Sequence, residues 1–498
     1  MNSLPLEPDA AAFELQAVPG RVVPVCCEFV ADCETPVSAF RKLGGDRWSF
    51  LLESVERDER MGRYSYIGIE PFMTFEARGK KVVRVEQGKR FEYEAVDPFA
   101  DLEAWTAARH MEIVQNSQRF TAGVVGYLGF DMVRFFEPSV GAPPPDALGI
   151  PDMIFMAPGL VLEFDHHLRR LRVICNVTVG EGENPAEAHA AACASIKTVM
   201  SRLADPAPDT LAPVKVQAPE LPHTSNTTRE EYHEMVRKAQ EYIRAGDIFQ
   251  IVPSQRFETE YTGCPVALYR ALRFVNPSPY MFCLRFGDGF SMVGSSPEVH
   301  VRCIDGRVEI RPIAGTRPRG ANPEEDDANA EELLADPKER AEHVMLVDLA
   351  RNDVGRICEF GSVKVTDFMI IERYSHVMHI VSNVEGRLQP GRSAFDVMRA
   401  TFPAGTVSGS PKVRAMQILN KMENHKRGAY AGAVGYFSFD GNVDSCITLR
   451  SVVLKDGKAY VQAGGGVVAD STPEGEYQET INKARGMMRA IARARTLS

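Results

Sequence analysis

AGVVGYLGFD (residues 122–131) and AGAVGYFSFD (residues 431–440) decide the fold, because the same glycine-containing apolar strand pattern occurs once in each half of the chain. The two stretches agree at seven of ten positions. Glycines at matching places inside a strand indicate close approach by other backbone. Chance likeness between two strands of common composition is the alternative. We favour two equivalent strands, with both halves contributing similar sheets to one composite α+β body.

Strand and hairpin patterns surround both stretches. FMTFEARGKKVVRVEQG (72–88) and LVLEFDHHLRRLRVICNVTV (160–179) are typical of hairpins, and IFQIVPSQRF (248–257) is typical of a strand. Helices are predicted from an Asn184-Pro185 start to residue 204, and from a Thr228/Glu231 capping box to a stop at Gly246. A last helix is predicted over about 473–494. These elements predict a composite β-sandwich of largely antiparallel sheets, with helices packed outside.

A proline-rich stretch, ADPAPDTLAPVKVQAPELPHTS (204–225), has no hydrophobic periodicity and predicts a linker. It divides the chain into an N-terminal region, 1–203, and a C-terminal region, 226–498. The linker is not a fold boundary if strands from both sides join one sandwich.

Composition excludes several classes of protein. Acidic residues outnumber basic ones, 67 to 57, so the basic surface typical of nucleic-acid-binding proteins is missing. No apolar run approaches the about 18–20 residues of a membrane helix, and the N-terminus lacks a signal-peptide pattern. Ten cysteines, none spaced C-x-x-C, favour a reducing compartment. We therefore expect a cytoplasmic protein that binds neither nucleic acid nor membrane.

The familiar catalytic motifs are absent from the sequence: there is no P-loop, no H-E-x-x-H, no G-x-S-x-G and no G-x-C-x-G glutaminase elbow. Two E-x-x-E pairs remain, Glu339 with Glu342 and Glu476 with Glu479. This spacing puts each pair on one helix face, where the carboxylates either complement a helix start and face solvent or help to hold Mg²⁺. The residues alone leave both readings open.

Three glycine-rich turns, RPIAGTRPRG, FPAGTVSGSPK and VQAGGGVV, are able to present backbone N–H groups to an anion. Ordinary loops have the same composition. Their presence in one segment together with Arg450 favours a small anionic ligand.

At PIAGTRPRG, AEHVMLVDLARND, YSHVMHIVS, GSPKVRAM and QAGGGVVADS the chain resembles chorismate-utilising enzymes, and more narrowly the large subunits (component I) of anthranilate synthases. The resemblance covers nearly the whole chain. It implies the reaction of chorismate with ammonia to give anthranilate and pyruvate, the first committed step of tryptophan biosynthesis. QAGGG stands where QAGAG is common, which leaves backbone contacts unaffected.

The resemblance also implies a set of site residues. Glu298 matches the candidate general acid, His379 the residue associated with pyruvate elimination, and Thr406 lies beside the substrate. For His379 the residues alone favour a core histidine. Mg²⁺ is implied at Glu342 and Glu479, with Glu476 acting through water. Contacts to chorismate are implied for Gly315, Thr316, Tyr430, Arg450, Gly464, Gly465 and Gly466.

Two positions bear on sister enzymes. Aminodeoxychorismate synthases typically carry a lysine nucleophile where this chain has Ala314, and isochorismate or salicylate synthases a water-activating lysine where it has Gln250. Alanine has no nucleophilic group to attack the substrate, and glutamine is a poor base for activating water. Both favour anthranilate synthase. A non-catalytic tryptophan sensor is a further alternative, opposed by the retained glutamates.

The resemblance implies two partners besides chorismate and ammonia. Without a glutaminase elbow, use of glutamine requires a separate amidotransferase subunit (component II), in a heterotetramer of two large and two small subunits. LLES (51–54) and NPSPYM (276–281) resemble the feedback site for L-tryptophan, implying contacts from Ser54, Pro279, Tyr280 and Met281. Because this site is separate from the chorismate site, inhibition is expected to be allosteric.

Overall fold

A computed structural model describes residues 4–45, 47–54, 62–109, 111, 120–206, 219–287, 289–374 and 377–497. Within these ranges the chain forms a mixed α+β fold on one large antiparallel strand network. None of the described helices is long and apolar enough to cross a membrane.

The elements before residue 204 are mostly strands. The helices are α1 (Ala10–Gln16), α2 (Pro36–Leu43), α3 (Pro98–Ala107), α4 (Val133–Phe136) and α5 (Pro185–Leu203). The strands are β1 (Val22–Val30), β2 (Ser49–Glu53), β3 (Tyr64–Arg78), β4 (Lys81–Glu86), β5 (Lys89–Glu94), β6 (Gly123–Leu128), β7 (Met153–Asp165) and β8 (Arg170–Thr178).

The later elements alternate strands with longer helices. The helices are α6 (Arg229–Arg244), α7 (Pro265–Val275), α8 (Pro323–Ala335), α9 (Pro337–Gly355), α10 (Ala394–Thr401), α11 (Lys412–Met422) and α12 (Pro473–Ala494). The strands are β9 (Thr224–Ser225), β10 (Gln250–Ile251), β11 (Ser254–Glu260), β12 (Tyr280–Arg285), β13 (Ser291–Ser296), β14 (Val299–Ile304), β15 (Arg307–Ile310), β16 (Ile313–Pro318), β17 (Lys364–Arg373), β18 (Val377–Arg387), β19 (Gly409–Ser410), β20 (Ala433–Ser438), β21 (Val443–Ile447), β22 (Ser451–Lys455) and β23 (Lys458–Gly464).

The two similar stretches of the sequence are β6 and β20, and they pair with each other. The ladder is antiparallel and places Gly126 opposite Gly435. A Cβ at Gly126 would lie 1.9 Å from the carbonyl oxygen of Ile154, and a Cβ at Gly435 would lie 2.2 Å from that of Asp444. Both glycines are therefore required by close backbone approach. The prediction that the two halves contribute equivalent strands to one body is confirmed.

Strands from both sides of the predicted linker share the network elsewhere as well. Strand β2 pairs with β12, and β9, which lies inside the predicted linker itself, pairs with β11. Residues 207–218 of the linker lie outside the described ranges. The division into 1–203, 204–225 and 226–498 stays a prediction from the sequence. The described strands on the two sides of the linker belong to one network and do not form separate sheets.

Apolar residues alternate between two faces of the strands. On β6, Val125 and Tyr127 join a core cluster made almost entirely of strand residues, whereas Val124 and Leu128 pack with the helices α3 and α10. Because successive side chains of a strand point to opposite faces, one face lies inside the strand layers and the other beneath the helices. This arrangement agrees with the predicted α+β class.

Local sequence signals placed three helices correctly. Asn184 caps α5, and the Thr228/Glu231 capping box begins α6. Thr472 caps α12, which ends at Ala494. The predicted strand 248–257 is wrong in one respect, because it is split into β10 and β11. Pro253 lies at the break and has no N–H to continue a ladder.

Candidate active site

Glu298 is a buried carboxylate in the short connection between β13 and β14. Its Oε1 accepts a 2.6 Å hydrogen bond from Oγ1 of Thr406, which lies in the 3-10 turn Gly405–Val407. Burial raises the pKa of Glu298 to about 7, against the opposing effects of the Thr406 hydrogen bond and of Lys483 and Arg450. A carboxyl group with this pKa is protonated in about half of the molecules at neutral pH and is suited to donate a proton.

Arg450 brings a positive charge to the same place, on a partly buried side chain. Its backbone has a φ of +46°, in the left-handed region, and its carbonyl oxygen accepts a 3.1 Å hydrogen bond from the N–H of Ser295. Burial lowers the pKa of its guanidinium, and the Glu298 carboxylate opposes this shift. Strained backbone of this kind clusters at functional sites. The guanidinium is suited to hold a carboxylate of a ligand.

His379 lies on β18, against the irregular turn within β16 that carries Gly315 and Thr316, where the register of the β16–β18 ladder shifts. Its Nδ1 is 2.8 Å from the carbonyl oxygen of Gly315 and 3.1 Å from Oγ1 of Thr316. Because a carbonyl only accepts, Nδ1 carries the hydrogen and Nε2 keeps its lone pair. Burial lowers the pKa of His379, the Gly315 carbonyl opposes this shift, and Arg450 reinforces it. The ring is therefore a neutral base at physiological pH.

Gly315 has a φ of +70°, and a Cβ there would lie 3.0 Å from Leu333 and 3.2 Å from Oε2 of Glu339. Only glycine allows this turn to bring its carbonyl to His379 while staying close to α9.

The glycines after β23 bring backbone against polar side chains. A Cβ at Gly464 would lie 2.9 Å from the hydroxyl of Tyr430, and one at Gly465 would lie 2.7 Å from Oε2 of Glu476. A Cβ at Gly466 would lie 2.9 Å from Nε2 of Gln250. Side chains at these positions would occupy the space beside the polar groups. The three glycines thus leave space for a ligand beside these polar groups.

Tyr430 is buried, and burial raises its pKa to about 12, so its hydroxyl stays protonated. The buried hydroxyl next to Gly464 is a neutral hydrogen-bonding group for a ligand.

Glu342 extends from α9 toward the same glycines. Its Oε1 accepts a 3.1 Å hydrogen bond from Nε2 of Gln250. Burial raises the pKa of Glu342, and the negative charges of Glu339 and Glu479 raise it further, against the Gln250 hydrogen bond. The two E-x-x-E pairs, distant in sequence, therefore act on each other electrostatically.

Helix α12 supplies the other two glutamates. Oε1 of Glu476 accepts a 2.6 Å hydrogen bond from Ser471, and its Oε2 is buried with no hydrogen-bond partner among the residues that the structure describes. Glu479 forms a 2.6 Å ion pair with Lys483, whose Nζ also donates to the carbonyl oxygen of Gly464 at 3.0 Å. Burial raises the pKa of Glu476, and the charge of Glu479 adds to the increase.

These carboxylates fit a hard divalent cation. Among the described residues, no three His, Cys, Asp or Glu side chains are close enough to form a complete ligand cluster. Mg²⁺ usually takes one or two carboxylates, several waters and substrate oxygens, so such a cluster is not required. The mutual repulsion of the glutamates and the unpartnered oxygen of Glu476 are the features that a bound cation would relieve.

The residues predicted for catalysis, chorismate binding or metal binding therefore lie beside, or act electrostatically on, one another, except Gly466, which lies beside Gln250. Sequence reasoning missed Lys483 and treated Gln250 only as a missing lysine. Lys483 is four residues from Glu479 on the same helix, and this spacing is a signal that could have found it. The bond from Gln250 to Glu342 has no local signal.

Comparison with known proteins agrees with this geometry. Residues 53–489 match the family model described as chorismate binding enzyme. The chain belongs to the chorismate-binding enzymes, as an anthranilate synthase component I. It is 47% identical over 480 residues to "Anthranilate synthase component 1" of Acetivibrio thermocellus, covering 95% of this chain and 96% of that protein.

Solved structures of chorismate-binding enzymes share the fold. The crystal structure of anthranilate synthase component I from Streptococcus pneumoniae has a TM-score of 0.76 at 38% identity, covering 92% of this chain and 98% of that one. The menaquinone-specific isochorismate synthase from Escherichia coli has a TM-score of 0.71 at 18% identity, with 95% of each chain covered, and shows likeness of fold alone. The predicted resemblance, fold class and activity, a lyase that converts chorismate to anthranilate in tryptophan biosynthesis, are confirmed.

The residues predicted for the regulatory site of this chorismate-binding enzyme also lie together. Strand β2 ends at Glu53, which is opposite Met281 of β12, so Ser54 and the PSPYM segment meet at one sheet edge. The Oγ of Ser54 is buried and has no hydrogen-bond partner within the described ranges, which continue after Ser54 from residue 62. Nearby, Glu53 accepts a hydrogen bond from the hydroxyl of Tyr269 and forms a 3.4 Å ion pair with Arg273.

Tyr280 and Met281 are consecutive strand residues and pack in different core clusters. The Tyr280 hydroxyl donates a 2.7 Å hydrogen bond to Asp444. Because their side chains point to opposite faces, one ligand can meet the side chain of only one of them and the backbone of the other. This refines the predicted contact set.

Proposed function

We propose that the chain forms anthranilate, pyruvate and water from chorismate and ammonia at the site built around Glu298 and His379. The observation that carries this proposal is that the surroundings of two groups shift their pKa values in opposite directions. One group is thereby suited to donate a proton and the other to accept one. Glu298 has a pKa raised to about 7 and is suited to donate, and His379 is a neutral base. A reaction that first loses a hydroxide and then loses a ring proton needs both groups.

Chorismate is a dicarboxylate, and the site offers separate groups for its charges. The Arg450 guanidinium binds the carboxylate of the enolpyruvyl group, assisted by Tyr430 and by the backbone around Gly464 and Gly465. Gly315 and Thr316 contact the ring beside His379. The ring carboxylate faces the glutamates of α9 and α12.

In the first step, ammonia attacks C2 of the ring, the two ring double bonds move from C1=C2 and C5=C6 to C1=C6 and C4=C5, and the 4-hydroxyl leaves. Protonated Glu298 gives its proton to that oxygen, so that water leaves instead of hydroxide. The Thr406 hydroxyl holds one oxygen of Glu298 and leaves the other free to carry the proton. The new ammonium group then loses a proton.

In the second step, Nε2 of His379 removes the proton at C2, the ring becomes aromatic, and the C3–O bond breaks. The released enolpyruvate is protonated at its methylene carbon and becomes pyruvate. The bond from Nδ1 to Gly315 holds the ring with Nε2 available for this transfer.

Glu342 and Glu479 are the residues that would hold Mg²⁺ directly, with Glu476 acting through water. The ion would neutralise the ring carboxylate and fix its orientation. Gln250 orients Glu342 through their 3.1 Å hydrogen bond. Lys483 forms a 2.6 Å ion pair with Glu479 and balances part of its charge.

The nitrogen source and the partner follow from the family. Ammonia is supplied from glutamine by a separate amidotransferase subunit, component II, in a heterotetramer of two large and two small subunits. The large chain alone uses free ammonia. The complex is placed in the cytoplasm, consistent with the cysteine usage of the sequence.

L-Tryptophan is proposed to bind at Ser54, Pro279, Tyr280 and Met281 and to inhibit allosterically. The unpartnered hydroxyl of Ser54 is suited to the charged amino or carboxylate group of an amino acid. Strand β12 connects this edge to β13, which leads directly to Glu298. Tryptophan therefore acts on the strand next to the proton donor.

The proposed function is tested with the purified chain, chorismate, Mg²⁺ and ammonium at alkaline pH, following anthranilate fluorescence and pyruvate together. Equal amounts of both products, suppressed by tryptophan, are expected. Consumption of chorismate without pyruvate would instead indicate an aminodeoxychorismate-type or isochorismate synthase. Tryptophan binding without any consumption would indicate a sensor.

A further inference from the structure

Glu423 and Arg427 form a buried ion pair just beyond α11, and the proposed chemistry does not use them. Their side chains are 7% and 2% exposed. Nη2 of Arg427 is 2.6 Å from Oε1 of Glu423, and Nε is 2.8 Å from Oε2. Two parallel hydrogen bonds of this kind fix the guanidinium plane as well as its position.

The remaining donors of Arg427 bind two segments of the active site. Nη1 donates to the carbonyl oxygen of Val407 at 2.7 Å, in the same turn as Thr406. Nη2 donates to the carbonyl oxygen of Val252 at 2.6 Å, in the β10–β11 break. One side chain therefore spans the turn that holds Glu298 and the break that precedes β11.

The second of these segments is attached to the chorismate-contacting glycines. In the break, the carbonyl oxygen of Pro253 accepts a 3.2 Å hydrogen bond from the N–H of Gly465. Glu423 accepts hydrogen bonds from the N–H and Oγ of Ser254, at 2.9 and 2.8 Å, and Ser254 is opposite Gly464 in the β11–β23 ladder. Both members of the ion pair are thus connected to the glycine segment, Arg427 through the β10–β11 break and Glu423 through Ser254.

Arg427 also contacts the aromatic residues around the site. Its Cζ is 4.7 Å from the ring centroid of Phe130 and 5.7 Å from that of Tyr430. The next residue, Gly428, donates its N–H to the buried carboxylate of Asp131 at 3.0 Å. Phe130 and Asp131 follow β6, so the pair also connects the N-terminal half of the chain to the site.

From these contacts we infer that Arg427, held by Glu423, is a positioning residue that fixes the Thr406 turn and the Gly464–Gly466 backbone relative to each other. This inference rests on the proposed function for its catalytic consequence. Arginine is required because its planar fork reaches two carbonyl oxygens and a carboxylate at once. Lysine keeps the charge but not this geometry.

The test compares the wild-type chain with Arg427→Lys by backbone hydrogen exchange and by ammonia-dependent turnover. Exchange in residues 405–408 and 464–466 is expected to rise by about tenfold or more, while β20 is unchanged. The kcat/KM for chorismate is expected to fall by about 10²-fold, as for a misplacement of about 1 Å. Arg63→Lys breaks a bidentate pair with Asp165 on β7 and is the control for loss of an arginine fork at a more exposed position, 41% exposed against 2% for Arg427; it should change neither measurement.

A double-mutant cycle with Thr406→Val separates positioning from general stability. Each single substitution is expected to shift the alkaline limb of the pH profile of kcat. If Arg427 acts through the Thr406 turn, the shift in the double variant is expected to be smaller than the sum of the two single shifts. If Arg427→Lys fails to fold, Glu423→Gln preserves size and an acceptor for Ser254 and should loosen the same two segments.

Unchanged exchange in both segments would overturn the inference, whatever the activity. Loosened segments with unaltered kcat, KM and pH profile would overturn it as well, because the effect would then be structural only. If the wild-type chain does not consume chorismate while Arg427→Lys loosens both segments, the proposed function fails. The role of Arg427 in holding the two segments together would still be supported.

Discussion

The candidate active site and the candidate tryptophan site both lie at strand ends of one network, but they are built from different chemistry. The first gathers buried ionisable groups, such as Glu298 and Glu342, whose pKa values are raised by burial. The second presents Ser54, whose buried hydroxyl has no partner in the part of the chain that the structure describes. Reaction requires groups that exchange protons near neutral pH, whereas reversible binding requires polar atoms that only a ligand satisfies.

The difference also extends to how the residues are held. In the active site nearly every named side chain has a hydrogen-bond or ion-pair partner within the site, as for Thr406 with Glu298 and Lys483 with Glu479. At the tryptophan site the polar contacts of Glu53 and Tyr280 point elsewhere, to Tyr269, Arg273 and Asp444. We therefore expect substitutions in the first region to change chemistry and substitutions in the second to change only regulation.

The largest effect is expected for Glu479→Gln. Loss of a proposed direct Mg²⁺ ligand should reduce Mg²⁺-dependent turnover by more than the about 10–100-fold typical of outer-shell partners. The measurement is turnover against Mg²⁺ concentration, with circular dichroism to confirm folding. Glu474→Gln is the matched control, because Glu474 lies on the same helix and pairs with Arg229 and His233 at the surface. Normal Mg²⁺ dependence in Glu479→Gln would remove this residue from the metal site.

His379→Ala sharpens the comparison within the chemistry. Pyruvate release should slow by roughly 10²–10⁴-fold, the usual contribution of a general base, while ammonia addition is nearly retained. The aminated intermediate is then expected to accumulate. The measurement is chorismate loss and pyruvate formation in the same reaction, with the intermediate separated by chromatography. Equal slowing of both steps, with no intermediate, would contradict the assignment.

How far these residues were predictable depends on whether their partners are local. Helices and strands were predicted correctly where their signals lie in neighbouring residues. Examples are the helix caps Thr228 and Asn184 and the repeated strand pattern of β6 and β20. The pairing of β6 with β20 and the bond from Gln250 to Glu342 arise only from tertiary packing.

Resemblance to a family supplied the site residues that the patterns left open. His379 illustrates this, because a histidine in an apolar strand usually belongs to the core. Its Nδ1 bond to Gly315 becomes visible only when β16 and β18 pair.

Ser54→Ala should separate the two regions. Inhibition by tryptophan is expected to weaken by about 3–10-fold, corresponding to the about 0.5–1.5 kcal/mol of one hydrogen bond, with kcat unchanged. The control is Ser49→Ala, because the Ser49 hydroxyl, at the other end of β2, is also buried and has no partner among the described residues. The measurement is an inhibition curve for each variant. An unaltered curve for Ser54→Ala would move the regulatory site away from LLES.

The smallest effect is expected for Thr406→Val, which tests whether a single hydrogen bond tunes the proton donor. The Thr406 hydroxyl stabilises the Glu298 carboxylate and lowers its pKa against the effect of burial. Without it the pKa rises above about 7, so Glu298 stays protonated at higher pH and the alkaline limb of kcat moves upward. Loss of a hydrogen bond to a charged group corresponds to a shift of about one pH unit.

This shift is measured at a constant concentration of free ammonia, so that protonation of the nucleophile does not distort the profile. Thr401→Val is the matched control, because the Thr401 hydroxyl is buried near the same turn but donates to its own helix at Val397. A limb that stays in place in Thr406→Val would show that Glu298 is not the group whose ionisation limits turnover. A limb that moves only in Thr406→Val would assign the proton donor by its hydrogen bond, independently of the loss of activity that any substitution of Glu298 itself would cause.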